Sequence, residues 1–119
     1  MAIQVIGNYY VGDGVNNQID TSAIANVGAT GLDGNDRIFS ANGSQNNVFE
    51  GGRGADNLFF ATGATGSSAG SLYGGEGNDL LSGSFGQDFL YGGEGDDWLD
   101  GYWQDVNNTD NDALYGGSG

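Results

Sequence analysis

The chain has no cysteine, no proline and no histidine, and its only basic side chains are Arg37 and Arg53. Without His or Cys there is no catalytic triad of the usual kind, no thiol nucleophile, no disulfide and no zinc or haem site. The absence of lysine argues against an enzyme that grips phosphates, and a net charge of -14 repels nucleic acid. Long apolar runs are missing too. The opening residues Met1 to Ile6 have neither a basic region nor enough apolar length, so they read as neither a secretory signal nor a membrane span. Ile, Leu, Val and Phe together barely exceed the ~20% level below which a highly charged chain is expected to stay disordered. A domain of 119 residues with so little apolar side chain needs another source of stability, or a form in which neighbouring units share a core.

What the chain does have is 25 glycines and 16 carboxylates, and they are periodic. Gly74-Gly75-Glu76-Gly77-Asn78-Asp79-Leu80-Leu81-Ser82 superimposes on Gly92-Gly93-Glu94-Gly95-Asp96-Asp97-Trp98-Leu99-Asp100, with a third copy over 83–91 between them. The nine-residue frame returns at Gly51 to Phe59 and, with Leu32 in second place, at Gly31 to Phe39. Degenerate copies fill the gaps: Ala41 to Phe49 carries Asn46 where the Asp belongs, Gly63 to Tyr73 keeps only Leu72, and Gly101 to Tyr115 has an insertion before Asp112. Each frame divides into a six-residue turn and a three-residue strand. Position eight is apolar throughout, as Ile38, Val48, Leu58, Leu72, Leu81, Leu90, Leu99 and Leu114, which predicts one inward ladder. Many carboxylates beside glycine carbonyls suit a hard divalent cation.

This pattern resembles the RTX family of calcium-binding nonapeptide repeats, G-G-x-G-x-D-x-U-x, over about residues 31–119. The resemblance implies an all-β fold, a right-handed parallel β-roll (a β-solenoid) in which two nonamers make one coil and coils stack at ~4.8 Å. Residues 1–30 match poorly and are expected to form an irregular N-terminal cap. Ala2 to Tyr10 reads as a strand followed by the turn Gly12-Asp13-Gly14, and Ile19 and Ile24 each end a divergent coil. The roll, 31–119, stops inside a repeat.

In RTX proteins an ion lies between turns two repeats apart, held by the carbonyls of positions two and four and the Asp of position six from one turn, and the carbonyls of positions one and three with the Asp of the next. Carried over, this implies Gly75, Gly77 and Asp79 facing Gly92, Glu94 and Asp97. One coil earlier it implies Gly52, Gly54 and Asp56 facing Gly74, Glu76 and Asp79. Before that come Leu32, Gly34 and Asp36 facing Gly51, Arg53 and Asp56. Gly93, Gly95 and Asp97 with Gly116 and Ser118 make an incomplete last site. On the opposite edge Ser84, Gly86 and Asp88 supply half a site, to be completed by Asp105, Asp110 or Asp112. Turn capping is the competing role for each repeat aspartate. The expected load is about three to five Ca²⁺, mostly on one edge. Asp105 to Asp110 resembles half an EF-hand loop but lacks its glycine and terminal glutamate.

Without metal the chain repels itself and its apolar ladder cannot offset a backbone entropy of ~1–2 kcal/mol per residue. An ion that binds only the folded form at 100 times its dissociation constant adds ~2.7 kcal/mol per site, so folding is expected to be calcium-switched. No residue is assigned to catalysis. The resemblance implies an extracellular or cell-surface setting, reached through type I secretion, although the usual non-repetitive export tail is not seen. The chain is then either a fragment or exported atypically. Position nine is expected to point outward, giving an aromatic stripe of Phe49, Tyr73, Tyr91 and Tyr115 with Phe89 beside it, suited to an interface. The first reading is a structural building block that stacks end to end into an oligomer or filament, or adheres to a polysaccharide or cell surface. The second is a folding and export module of a larger secreted protease or lipase. Ice binding is a weaker third, because ranks of Thr are absent.

Overall fold

The computed structural model describes residues 3–21, 27–40, 46–60, 70–84, 86–101 and 112–119. Ile24, Asp105, Asp110 and the EF-hand-like segment lie outside them. Twelve strands make up the described chain, with no helix among them: β1 Gln4–Ile6, β2 Tyr9–Val11, β3 Gln18–Asp20, β4 Gly28–Asp33, β5 Arg37–Ser40, β6 Asn47–Arg53, β7 Asn57–Phe60, β8 Gly70–Glu76, β9 Leu80–Ser82, β10 Asp88–Glu94, β11 Trp98–Asp100 and β12 Ala113–Ser118.

Even-numbered strands stack in parallel in the order β2-β4-β6-β8-β10-β12, and odd-numbered strands in the order β3-β5-β7-β9-β11. The chain therefore alternates between two sheets and forms a parallel β-solenoid. Strands of three to seven residues suffice because each gains its hydrogen bonds from the coils above and below. The inner faces meet in one apolar ladder: Ile19, Ile38, Leu58 and Leu81 from the odd sheet, Ala29, Phe49, Leu72 and Leu90 from the even one, all 0% exposed. Leu99 is partly buried against it. Leu114 pairs with Leu90 in register but is 45% exposed, since no described strand covers the far side of β12.

Two sequence expectations change. The first concerns the frame around residue 50. Strand β6 pairs Phe49 with Leu72, Glu50 with Tyr73 and Gly52 with Gly75. Phe49 thus stands at position eight, buried, and Glu50 at position nine; Val48, expected inside, is 39% exposed. The degenerate copy is 42–50, so Asn47 and not Asn46 occupies the Asp position. Side chains alternate faces along a strand, and a one-residue slip exchanges the whole set. Burying the larger Phe49, which packs 5.1 Å from Phe60 between ring centroids, settles the choice. The second change concerns the start of the chain. The expected strand over Ala2 to Tyr10 is a hairpin, with β1 antiparallel to β2 around Gly7 and Asn8. Strand β2 then pairs with β4 and β3 with β5, and Ile19 joins the inner ladder.

Candidate metal centre

The turns that connect even strands to odd ones lie on a single edge. They begin at Gly12, Gly31, Gly51, Gly74 and Gly92, each buried. The register brings their sixth residues, Asn17, Asp36, Asp56, Asp79 and Asp97, into one column. Along it each backbone N–H donates to Oδ1 of the next: Asn17 to Asp36 (2.7 Å), Asp36 to Asp56 (2.7 Å), Asp56 to Asp79 (2.8 Å) and Asp79 to Asp97 (2.9 Å). These bonds spend one oxygen of each carboxylate. The other oxygen, Oδ2 of Asp36, Asp56, Asp79 and Asp97, is buried without any hydrogen-bond partner.

A buried, unpaired carboxylate oxygen is costly unless a cation or proton meets it. Each of the four lies beside a carbonyl of the following coil. At Gly51 an added Cβ would collide with both Asp56 Oδ2 and the Gly74 carbonyl. The same relation joins Asp36 Oδ2 with the Gly51 carbonyl, Asp79 Oδ2 with that of Gly92, and Asp97 Oδ2 with that of Gly116. The carbonyls of positions two and four face the next coil as well: those of Leu32 and Gly34 toward Gly52 and Gly54, those of Gly52 and Gly54 toward Gly75 and Gly77, those of Gly75 and Gly77 toward Gly93 and Gly95. Carbonyls of position three are hydrogen-bonded, accepting from position four one coil earlier: Arg53 from Gly34 (2.9 Å), Glu76 from Gly54 (2.8 Å), Glu94 from Gly77 (2.8 Å) and Ser118 from Gly95 (2.9 Å). Their side chains point away. The Arg53 guanidinium meets Glu76 at 3.3 Å on the exposed surface, where such a pair contributes little.

Among the described residues no three carboxylates gather at one point. An ion here would be held chiefly by carbonyl oxygens with one or two aspartates, a donor set of hard oxygens suited to calcium. The electrostatics agree. Burial pushes the Asp56 carboxyl up to about 7, with Asp79 and Asp36 adding to the rise against a hydrogen bond from Asp36 N–H. Burial likewise raises Asp36 and Asp79.

The opposite edge differs. Asp88 N–H donates to Asp112 Oδ1 (2.9 Å), so these two are brought together. Asp88 Oδ2 accepts the Ser84 N–H at 2.7 Å, and Asp88 Oδ1 the Gly70 N–H at 3.2 Å. Both oxygens of Asp88 are thus engaged within the protein. Ser84 Oγ is buried without a partner, and Gly86 lies in the same turn. Above them Asn47 Oδ1 accepts from Val27 N–H at 3.2 Å.

The divergent coil expected to end at Ile19 is the first coil of this edge, and its full nine-residue frame was not assigned from the sequence. Gly12-Asp13-Gly14-Val15-Asn16-Asn17-Gln18-Ile19-Asp20 is a nonamer with Asn17 at position six and Ile19 at position eight. Its signal was the eighth-place Ile after a position-one Gly; the neutral sixth residue hid it.

On the outer face of the even sheet Tyr73, Tyr91 and Tyr115 form a column with centroids 6.4 Å apart, and Phe89 packs 6.0 Å from Tyr73 and 5.3 Å from Tyr115. Phe49 is not part of it, for the reason given above.

Stacked coils with cation-ready turns along one edge define a calcium-binding β-roll. Comparison with protein families agrees: the RTX calcium-binding nonapeptide repeat matches in four copies over residues 30–64 and 72–105, more than half of the chain. The chain belongs to this family. No curated protein and no solved structure matches it.

Proposed function

We propose that the protein is a calcium-folded structural module that works outside the cell, where the ion is abundant. The observation that carries this reading is the row of four buried aspartate oxygens, each without a donor and each beside a carbonyl of the next coil. Ions between Asp36, Asp56, Asp79 and Asp97 and their facing carbonyls cancel carboxylate charge and tie turns some twenty residues apart to one another. The exposed tyrosine column supports a role as a building block, because a contiguous aromatic patch of this kind marks an interface more often than a solvated face.

The test is far-UV circular dichroism during a calcium titration of chelator-stripped protein, with light scattering on the same sample. A coil-to-β transition supports the calcium-folded module, and growth in particle size supports self-assembly. A chain that is equally β-rich in chelator, or still disordered in millimolar calcium, overturns the reading. β-structure without any growth in size removes only self-assembly.

A further inference from the structure

Two turn conformations recur in this roll, and the residue at position two separates them. In the turns that begin at Gly31, Gly51, Gly74 and Gly92, position two is left-handed, with φ of 78° at Leu32, 112° at Gly52, 115° at Gly75 and 104° at Gly93. In all four the aspartate Oδ2 has no donor. The turn that begins at Gly12 is different. Among the described residues only Leu32 and Asn46 adopt positive φ without being glycine, so Asp13 at its position two keeps an ordinary backbone. The Asp13 N–H points inward and donates to Asn17 Oδ1 at 2.8 Å. Asn17 Nδ2 donates in return to Asp13 Oδ1 at 3.0 Å, and that oxygen also accepts from Val15 N–H at 3.2 Å. The position-two N–H occupies the side of the sixth residue that an ion would occupy in the other turns, as the Ser84 N–H does at Asp88 on the opposite edge.

We propose that the turn Gly12 to Asn17 holds no cation and is a hydrogen-bonded lock that closes the calcium ladder at its first coil. It rests on the calcium reading above. The lock offers Asp36 one donor, the Asn17 N–H at 2.7 Å, and brings no formal charge at position six. Asn17 and Asp13 together make this exclusion: the amide satisfies both of its polar ends internally, where a carboxylate would repel Asp13 and require an ion.

Calcium stoichiometry of the full chain, measured by isothermal titration calorimetry with circular dichroism at saturation to verify the fold, tests this. Asn17→Ala is expected to keep the wild-type ion count while lowering the melting temperature in calcium. The paired change Asp13→Gly with Asn17→Asp restores the grammar of the other turns and is expected to bind one ion more. Loss of one ion in Asn17→Ala, or an unchanged count in a folded double variant, overturns the lock. If the double variant does not fold, the Asn17→Ala count alone decides. A wild type that binds no calcium overturns the parent reading instead, so the two failures are distinct.

Discussion

The smallest decisive features are single backbone positions. Gly54 has φ of 134°, and a Cβ there would sit against the Gly34 carbonyl, one of the oxygens turned toward the next coil. Gly54→Ala therefore incurs both the left-handed penalty of an L residue, ~1–2 kcal/mol, and displacement of a carbonyl. The expected outcome is a lower melting temperature in calcium by several degrees and a weakened site between coils, read by scanning calorimetry at fixed calcium. An unchanged melting temperature and affinity would mean that this carbonyl does not hold the ion. Leu32 shows the converse. It tolerates φ of 78° in a turn where its neighbours in register use glycine; at Gly52 and Gly75 a Cβ would also collide with the position-two carbonyl of the coil before, so there the second glycine serves both the backbone angle and the close approach of the coils. The sequence made the position legible as an exception; only the structure shows that the turn keeps its shape.

Between coils, turns are tied by a ladder of asparagines at position five. Asn16 Oδ1 accepts from Asn35 N–H and Asn35 Oδ1 from Ala55 N–H, both at 2.8 Å, and Asn78 Oδ1 accepts from Asp96 N–H at 2.9 Å. Ala55 interrupts the series, since it has no oxygen to offer Asn78. Ala55→Asn is expected to extend the ladder and raise stability by about 0.5–1.5 kcal/mol, the usual net value of one such bond. Chemical denaturation in saturating calcium measures it, and a neutral or negative effect would show that the rungs do not act independently. At this scale the sequence was only partly readable. The strands, turns and inner ladder follow from the nine-residue spacing, but the copy at 42–50 was misplaced by one residue. Nothing local distinguishes Val48-Phe49 from Phe49-Glu50 as the inward frame. Pairing with Leu72, twenty-three residues on, does.

For the whole molecule, charge is the governing quantity. Sixteen carboxylates face two arginines, and three of the aspartates in the central column are held above the ordinary carboxylate range, chiefly by burial. A carboxyl whose folded value is raised binds its proton more tightly in the fold than in the coil. Its contribution to the calcium-free roll is present below about 4 and lost as pH rises through the folded value, which for Asp56 is about 7. Calcium-free protein is therefore expected to gain β-structure as pH falls from 7.5 toward 4.5, while calcium affinity weakens over the same interval because protons compete for the same oxygens. Asp56→Asn, which mimics the protonated form, should flatten both dependences. Circular dichroism and calorimetry across this range check the prediction, and a calcium-free protein whose β-content is independent of pH would contradict it.

The sequence by itself determined the architecture. A glycine-rich turn and an apolar eighth residue, repeated at nine, leave no way to bury the apolar residue except against neighbouring coils, and counting repeats already sets Asp36, Asp56, Asp79 and Asp97 on one edge. Tertiary structure decided the rest. Where the extra residues of a degenerate copy are absorbed depends on pairing between strands about twenty residues apart, because that pairing fixes which face is buried. That the coil ending at Ile19 keeps the nine-residue frame and closes through Asn17 emerges only from its parallel pairing with the next. The difference between an ion-ready turn and a hydrogen-bonded one lies in the sign of φ at position two and the direction of a single N–H, which the coils above and below set together.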